Sequence, residues 1–243
     1  MKHLTYTLSA LILFISLSAC AQNKRKGNGS LITKERSIEN FDALKVAGSF
    51  DVELTSSKKN QLSINTDENL IEDIITEVKN GTLIIRPKRN SYLKASNRKS
   101  IEIKVPMVAL KSAKLSGSGK IHSQETVESK RLNTSLSGSG KIVLTVATQQ
   151  LNSKLFGSGK IQFKGEAQQV AAKLSGSGSI HLQEVKAKDA EATLAGSGSI
   201  YLSCSNDLDA TVAGSGRIRY FGEPAGKIYT KVAGSGSIRL ATE

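Results

Sequence analysis

Apolar or small residues alternate with polar ones through much of this chain, and from Leu115 onward the alternation is locked to a fixed period. Leu132, Thr134 and Leu136 alternate with Asn133 and Ser135, and Leu151, Ser153 and Leu155 repeat the pattern one period later. Alternation of period two predicts a strand with one face buried. Each run closes on one seven-residue signature: an apolar residue, a spacer, Gly-Ser-Gly, a polar residue and Ile. Seven copies begin at Leu115, Leu136, Leu155, Leu174, Leu194, Val212 and Val232. Their first glycines, from Gly117 to Gly234, recur at intervals of 21, 19, 19, 20, 18 and 20 residues. After each signature a second alternation starts, as in Ile142 and Leu144 or Ile161 and Phe163.

Two strands per coil, with a bend at the glycines, predict an all-β protein: a right-handed parallel β-helix, or solenoid, of GSG coils of about 20 residues. A single coil buries too few side chains to offset the entropy of ordering it, so the coils depend on stacking. Upstream the period weakens. Val46 to Val52 reads as a degenerate eighth copy, with Phe50 in place of the second glycine. Strand patterns cover 50–54, 61–65, 82–86 and 101–105, and Asn80-Gly81 marks a turn. Leu70, Ile71, Ile74, Ile75 and Val78 recur at helical spacing and predict a helix over 68–78. The residues between Gly48 and Gly117 are expected to form irregular coils that cap the stack. The head domain is therefore expected over 37–243, irregular over 37–110 and regular over 111–243.

The N-terminus has different chemistry. Lys2 followed by the apolar run Leu8 to Leu17 reads as an export signal over 1–19, too short for a comfortable membrane span. Leu17-Ser18-Ala19-Cys20 resembles a bacterial lipobox, which implies lipidation of Cys20 and a lipid anchor in the outer membrane, on its periplasmic or cell-surface face. Residues 20–36 are then expected to be the lipidated cysteine and a flexible, polar and basic tether. Cys204 is left unpaired within the chain and is expected to be a buried thiol or an intermolecular bridge.

Thirty-four Lys and Arg against 21 Asp and Glu give a formal charge of +13. That balance favours acidic partners, and it also suits lysines that keep strand faces from pairing with neighbours. Lys120, Lys141 and Lys160 share one slot in successive coils, while Lys114, Lys154 and Lys173 share another. They form either an anion-binding stripe for an acidic glycan or a solubilising surface. Gly117 to Lys120 lacks the remaining Walker residues, since Ile121 follows the lysine, so no nucleotide is expected. The turns carry serine where calcium-binding β-rolls carry aspartate. His122 and His181 are expected to face solvent, too far apart to share a metal. Carboxylates are scattered, with only Asp207 and Asp209 close together. No catalytic residue, metal site, cofactor or specific nucleic-acid partner is read. The last strand's open edge is a candidate for homo-oligomer contacts.

FDALKVAGSFDVEL (41–54), DENLIEDIITEVKNGTLIIRPK (67–88), IEIKVP (101–106) and the GSGKI/GSGSI run together resemble the auto-transporter adhesin head (GIN) domain family over Phe41 to Leu240. The resemblance implies a β-helical domain on exported bacterial proteins, often lipoproteins, with adhesion assigned by analogy and no catalytic residues to carry over. The expected function is a non-enzymatic envelope lipoprotein acting as an adhesin-like binding or structural module. The alternatives are a periplasmic scaffold or envelope-stress component and, more distantly, a glycan-processing β-helix enzyme.

Overall fold

The computed structural model describes residues 23–241 except 57–59, 90, 97–99 and 108; the expected export signal over 1–19 and Cys20 lie outside the described residues. The regular part is a parallel β-solenoid of about six turns, because seven corners enclose six full circuits. Its strands are β10 (Ser112–Gly117), β11 (Lys120–Gly138), β12 (Lys141–Gly157), β13 (Lys160–Gly176) and β14 (Ser179–Gly196). β15 (Ser199–Ser203), β16 (Leu208–Gly214), β17 (Arg217–Phe221), β18 (Ile228–Ala233) and β19 (Ser237–Leu240) complete it. Two short strands per coil, as the alternation predicts, appear only from β15 onward. In β11 to β14 one strand of 17 to 19 residues runs from corner to corner. Consecutive rungs keep hydrogen-bonding around the whole circuit, from Lys141↔Lys160 to Gly157↔Gly176.

Unequal repeat lengths are absorbed away from the corners. The first interval is two residues longer than the second, and the ladder between β11 and β12 shifts register between His122 and Thr126. A second shift, between Gln162 and Lys164, takes up the extra residue of the β14 coil. The corners thus stay aligned and so does the core. Ile121, Ile142, Ile161, Ile180, Ile200 and Ile218 form one fully buried ladder. Burial of each such side chain is worth about 1.5–3 kcal/mol.

The corner glycines are needed for two separate reasons. Gly157 has φ +117°, and a Cβ there would sit 2.7 Å from the Gly138 carbonyl oxygen of the coil below. A Cβ on Gly159 would meet the Gly140 oxygen at 2.6 Å and a Leu136 methyl at 2.7 Å. Backbones this close can stack only when no Cβ intervenes. The same geometry explains Phe50. The corner at Gly48 rests on Pro87 rather than on another GSG corner, and Phe50 is buried there.

Upstream lie β1 (Asn23–Lys26), β2 (Leu31–Ser37), β3 (Ala43–Ala47), β4 (Asp51–Thr55) and β5 (Gln61–Asp67). They are followed by β6 (Ile74–Lys79), β7 (Thr82–Pro87), β8 (Ser91–Lys94) and β9 (Glu102–Pro106). Stacking order here is not chain order. β3 lies between β7 and β10, and β4 between β9 and β11, all parallel. The degenerate coil at Gly48 therefore touches the first GSG coil directly, with Gly119 N–H donating to the Gly48 carbonyl at 3.0 Å. The irregular segment caps the stack from below instead of separating the two. The helix expected over 68–78 shrinks to a 3-10 turn at Glu68–Asp73. Ile74, Ile75 and Val78 belong to β6, which forms an antiparallel hairpin with β7 through Asn80 and Gly81, both at positive φ.

The tether expected over 20–36 is largely strand where it is described. β2 pairs antiparallel with β5, and β1 pairs parallel with β8. Arg36 fixes β2 by donating from its guanidinium to the carbonyls of Ile71 and Ile74 at 2.7 and 2.6 Å. Buried Asp67 holds the β1–β2 connection, accepting from Gly29 N–H at 2.7 Å and Ser96 N–H at 3.0 Å. At the other end β18 and β19 leave Ile228, Val232 and Leu240 about half exposed. The counterparts of Ile228 and Val232 one coil down, Leu208 and Val212, are buried, and that of Leu240, Tyr220, is half-buried.

Candidate functional site

Outward side chains form columns along the stack, because each ladder pairs equivalent residues of successive coils. Lys120, Lys141 and Lys160 are in register, preceded by Asp51 and followed by Ser179 and Ser199. Lys120 lies 3.9 Å from the Asp51 carboxylate, which also contacts His122 at 3.1 Å. Lys45 and Lys114 start the second column, Ser135 interrupts it, and Lys154 and Lys173 continue it to Thr193. Lys173 pairs with Glu191 at 3.3 Å. The two columns stand on opposite sides of the GSG corner in sequence, the first ending at Asp51 and Ser179 and the second interrupted at Ser135. The six lysines thus form two short basic patches, with Lys120 and Lys173 already engaged.

The histidines are less solvated than their outward slots suggest. His181 stacks on Tyr201 with ring centroids 4.7 Å apart. Burial lowers its pKa first, and the charges of Lys160 and Lys141 lower it further, so the ring is neutral at neutral pH. Cys204 is a buried, free thiol. Burial raises its pKa, and its single S–H faces the carbonyl oxygens of Asp207, 3.0 Å from Sγ, and Lys188, 3.3 Å from it. A protonated, enclosed thiol is inert toward disulfide exchange.

A broad, open concavity lies where sequence reading singled out no site. On the flank leading into the corner, Gln150, Gln169 and Asp189 form one column. Asn152, Ala171, Glu191, Asp209 and Tyr229 form another. Both line a groove of about 530 Å³. Its amides are organised by the stack. Arg131 Nε donates to Gln150 Oε1 at 2.7 Å, Gln150 Nε2 to Gln169 Oε1 at 3.2 Å, and Asn152 Nδ2 to Asn133 Oδ1 at 3.1 Å. Two carboxylates are pinned through one oxygen each. Asp189 Oδ1 accepts from Asn206 Nδ2 at 2.8 Å, and Asp207 Oδ1 accepts from Lys227 N–H at 2.7 Å. Tyr229 is 58% exposed at one end. The signal that could have found this groove is the 19-residue interval itself, which places Gln150 over Gln169 and Asn133 over Asn152.

Such a surface can form many directional hydrogen bonds along one line. Among the described residues no three His, Cys, Asp or Glu side chains converge to hold a metal ion.

Solved structures of similar proteins share the fold. A "putative lipid binding protein" from Parabacteroides distasonis is 31% identical, with 90% of this chain and 100% of that one covered and a TM-score of 0.75. A "putative adhesin" from Bacteroides fragilis is 25% identical over 89% of this chain and 100% of its own, at a TM-score of 0.82. Another from Parabacteroides merdae, 23% identical over 90% and 100%, matches in fold with a TM-score of 0.71. A comparison with curated proteins gives no match. These neighbours are named as adhesins or a binding protein and not as enzymes. A family model described as "Putative auto-transporter adhesin, head GIN domain" matches residues 40–224, spanning the degenerate coil, its cap and most of the GSG stack. The chain belongs to that adhesin-head GIN domain family.

Proposed function

We propose that this protein is a lipid-anchored envelope protein whose solenoid is a non-enzymatic, adhesin-like binding module. The observation that carries the reading is the groove. Polar side chains are presented in fixed register on a continuous sheet, with about 530 Å³ of open space before them. Rigid presentation of this kind lowers the entropy cost of binding an extended partner. The family and its solved neighbours support the adhesin-like role, and the lipobox-like Leu17-Ser18-Ala19-Cys20 supports the anchor. Acyl chains on Cys20 would each add about 0.8 kcal/mol per buried methylene to membrane attachment. In this reading the lysine patches are solubilising charges, because they are short and partly paired.

The test is protease treatment of intact cells, with and without permeabilisation of the outer membrane. Digestion in intact cells is the expected result. Protection until permeabilisation would overturn the adhesin-like role in favour of a periplasmic scaffold.

A further inference from the structure

We propose that the groove along Gln150, Gln169, Asp189, Asp209 and Tyr229 binds an uncharged glycan chain laid parallel to the solenoid axis. The inference rests on the binding-module reading above and adds the class of ligand.

Length comes first. Those residues occupy five consecutive coils, and four steps of about 4.8 Å give a track of about 19 Å, the reach of a short oligosaccharide. A repeating polymer with a hydroxyl-rich edge meets a repeating array of partners on this track.

The lining chemistry matches a polyol. Gln150, Gln169 and Asn152 each offer both a donor and an acceptor, the mixture that sugar hydroxyls require. Asp189 and Asp207 spend Oδ1 within the fold, and among the described residues no protein donor is seen on Oδ2 of either. Asp209 adds a further carboxylate. Such oxygens accept from hydroxyl groups in charge-assisted bonds, stronger than neutral ones. At the C-terminal end the exposed ring of Tyr229 provides an aromatic face for the C–H surface of a pyranose.

Charge selects among glycans. Asp189, Asp207 and Asp209, with Glu191 already paired to Lys173, line the groove against one lining lysine, Lys227. A uronate or sulfated polymer would bring like charges to within a few ångströms of these carboxylates, an unfavourable contact even at high dielectric. The overall +13 charge of the chain points to acidic partners, and the groove is the place where that expectation reverses.

The test is isothermal titration of the full-length chain in detergent with maltohexaose, cellohexaose and mannohexaose, and with hexagalacturonate as the anionic comparison. Binding of at least one neutral hexasaccharide is expected, with hexagalacturonate at least about 10-fold weaker. Tyr229→Ala and Asp209→Ala should each weaken that binding by about 10-fold, as expected for hot-spot residues. Both side chains are exposed, and an unchanged unfolding midpoint shows that the variants fold. Failure of all three neutral probes, equal or tighter binding of hexagalacturonate, or full affinity in Tyr229→Ala would each overturn the inference. Protease digestion on intact cells is read separately. Digestion without neutral-glycan binding removes this inference and leaves the envelope reading standing.

Discussion

Gly157→Ala puts the stacking rule of the corner to a quantitative test. The residue sits at φ +117°, where a side chain costs about 1–3 kcal/mol. The added Cβ would lie 2.7 Å from the Gly138 oxygen and 3.3 Å from both the Gly138 carbonyl carbon and its nitrogen. The neighbour is backbone and cannot swing aside, so the coils must separate at this corner. Gly138 O accepts from Ser158 N–H at 3.1 Å and from Gly159 N–H at 2.9 Å, and separation weakens both. At about 1 kcal/mol per bond, the whole effect comes to about 3–5 kcal/mol. This is a large fraction of a typical domain's stability. Guanidinium unfolding monitored by circular dichroism measures it, with Ser158→Ala as the companion variant. Ser158 is exposed between the two glycines, and its replacement should change stability by less than about 0.5 kcal/mol. A Gly157→Ala protein within about 1 kcal/mol of the parent would refute the account of the corner.

Three further outcomes follow from the interior and the cap. Thr134 Oγ1 donates to Ser153 Oγ at 3.1 Å inside the stack, so Thr134→Val and Ser153→Ala should each cost about 1–2 kcal/mol. The double variant should cost less than the sum, and additivity in urea titrations would show that the pair is not coupled. The Cys204 thiol, buried with its pKa raised, should stay unreactive toward a thiol reagent until the chain unfolds; labelling of the native protein at the denatured rate would contradict its enclosure. For Asp67, burial alone would raise the pKa, but hydrogen bonds from Ser96 and Gly29 outweigh it and hold the carboxyl below its ordinary range. Its stabilising contribution is complete above the unfolded value of about 3.9 and is lost as pH falls through the lowered folded value. Asp67→Asn should therefore lose less stability between about pH 6 and about pH 2.5 than the parent does, and parallel acid profiles would contradict the assignment.

The solenoid was legible because its signals are local and repeated. The alternation names the inward residues, and Leu132, Leu136, Leu151 and Leu155 are all fully buried. The glycine signature names the corners, and each first glycine adopts a positive φ. What escaped is what depends on partners far along the chain. Leu70, Ile71, Ile74 and Ile75 carry helical spacing, yet β6 forms because Asn80-Gly81 turns it back onto β7, and tertiary pairing overrides the local pattern. Residues 23–37 lack a strong apolar alternation, and their order comes from β5, β8 and the side chains of Asp67 and Arg36. The groove was missed for a related reason. Polar residues at a strand's outward positions look alike in sequence, and the interval that stacks Gln150 on Gln169 does not show that their columns line a concavity.

The out-of-order stacking at the base bears on how the chain is built during synthesis. Residues 43–55 are held between segments 82–106 and 112–123, so the second rung of the stack cannot be sandwiched until the chain has advanced well past Pro106. Before that point the emerging N-terminal segment is a half-made template. Afterwards every new coil finds a finished edge waiting and closes on residues only about 20 positions back, a short loop with a small entropic cost. Growth is therefore directional. Shortening the chain from the C-terminus removes whole turns from a sound base, whereas deletion of residues 43–55 takes out the seed on which all the other turns are laid.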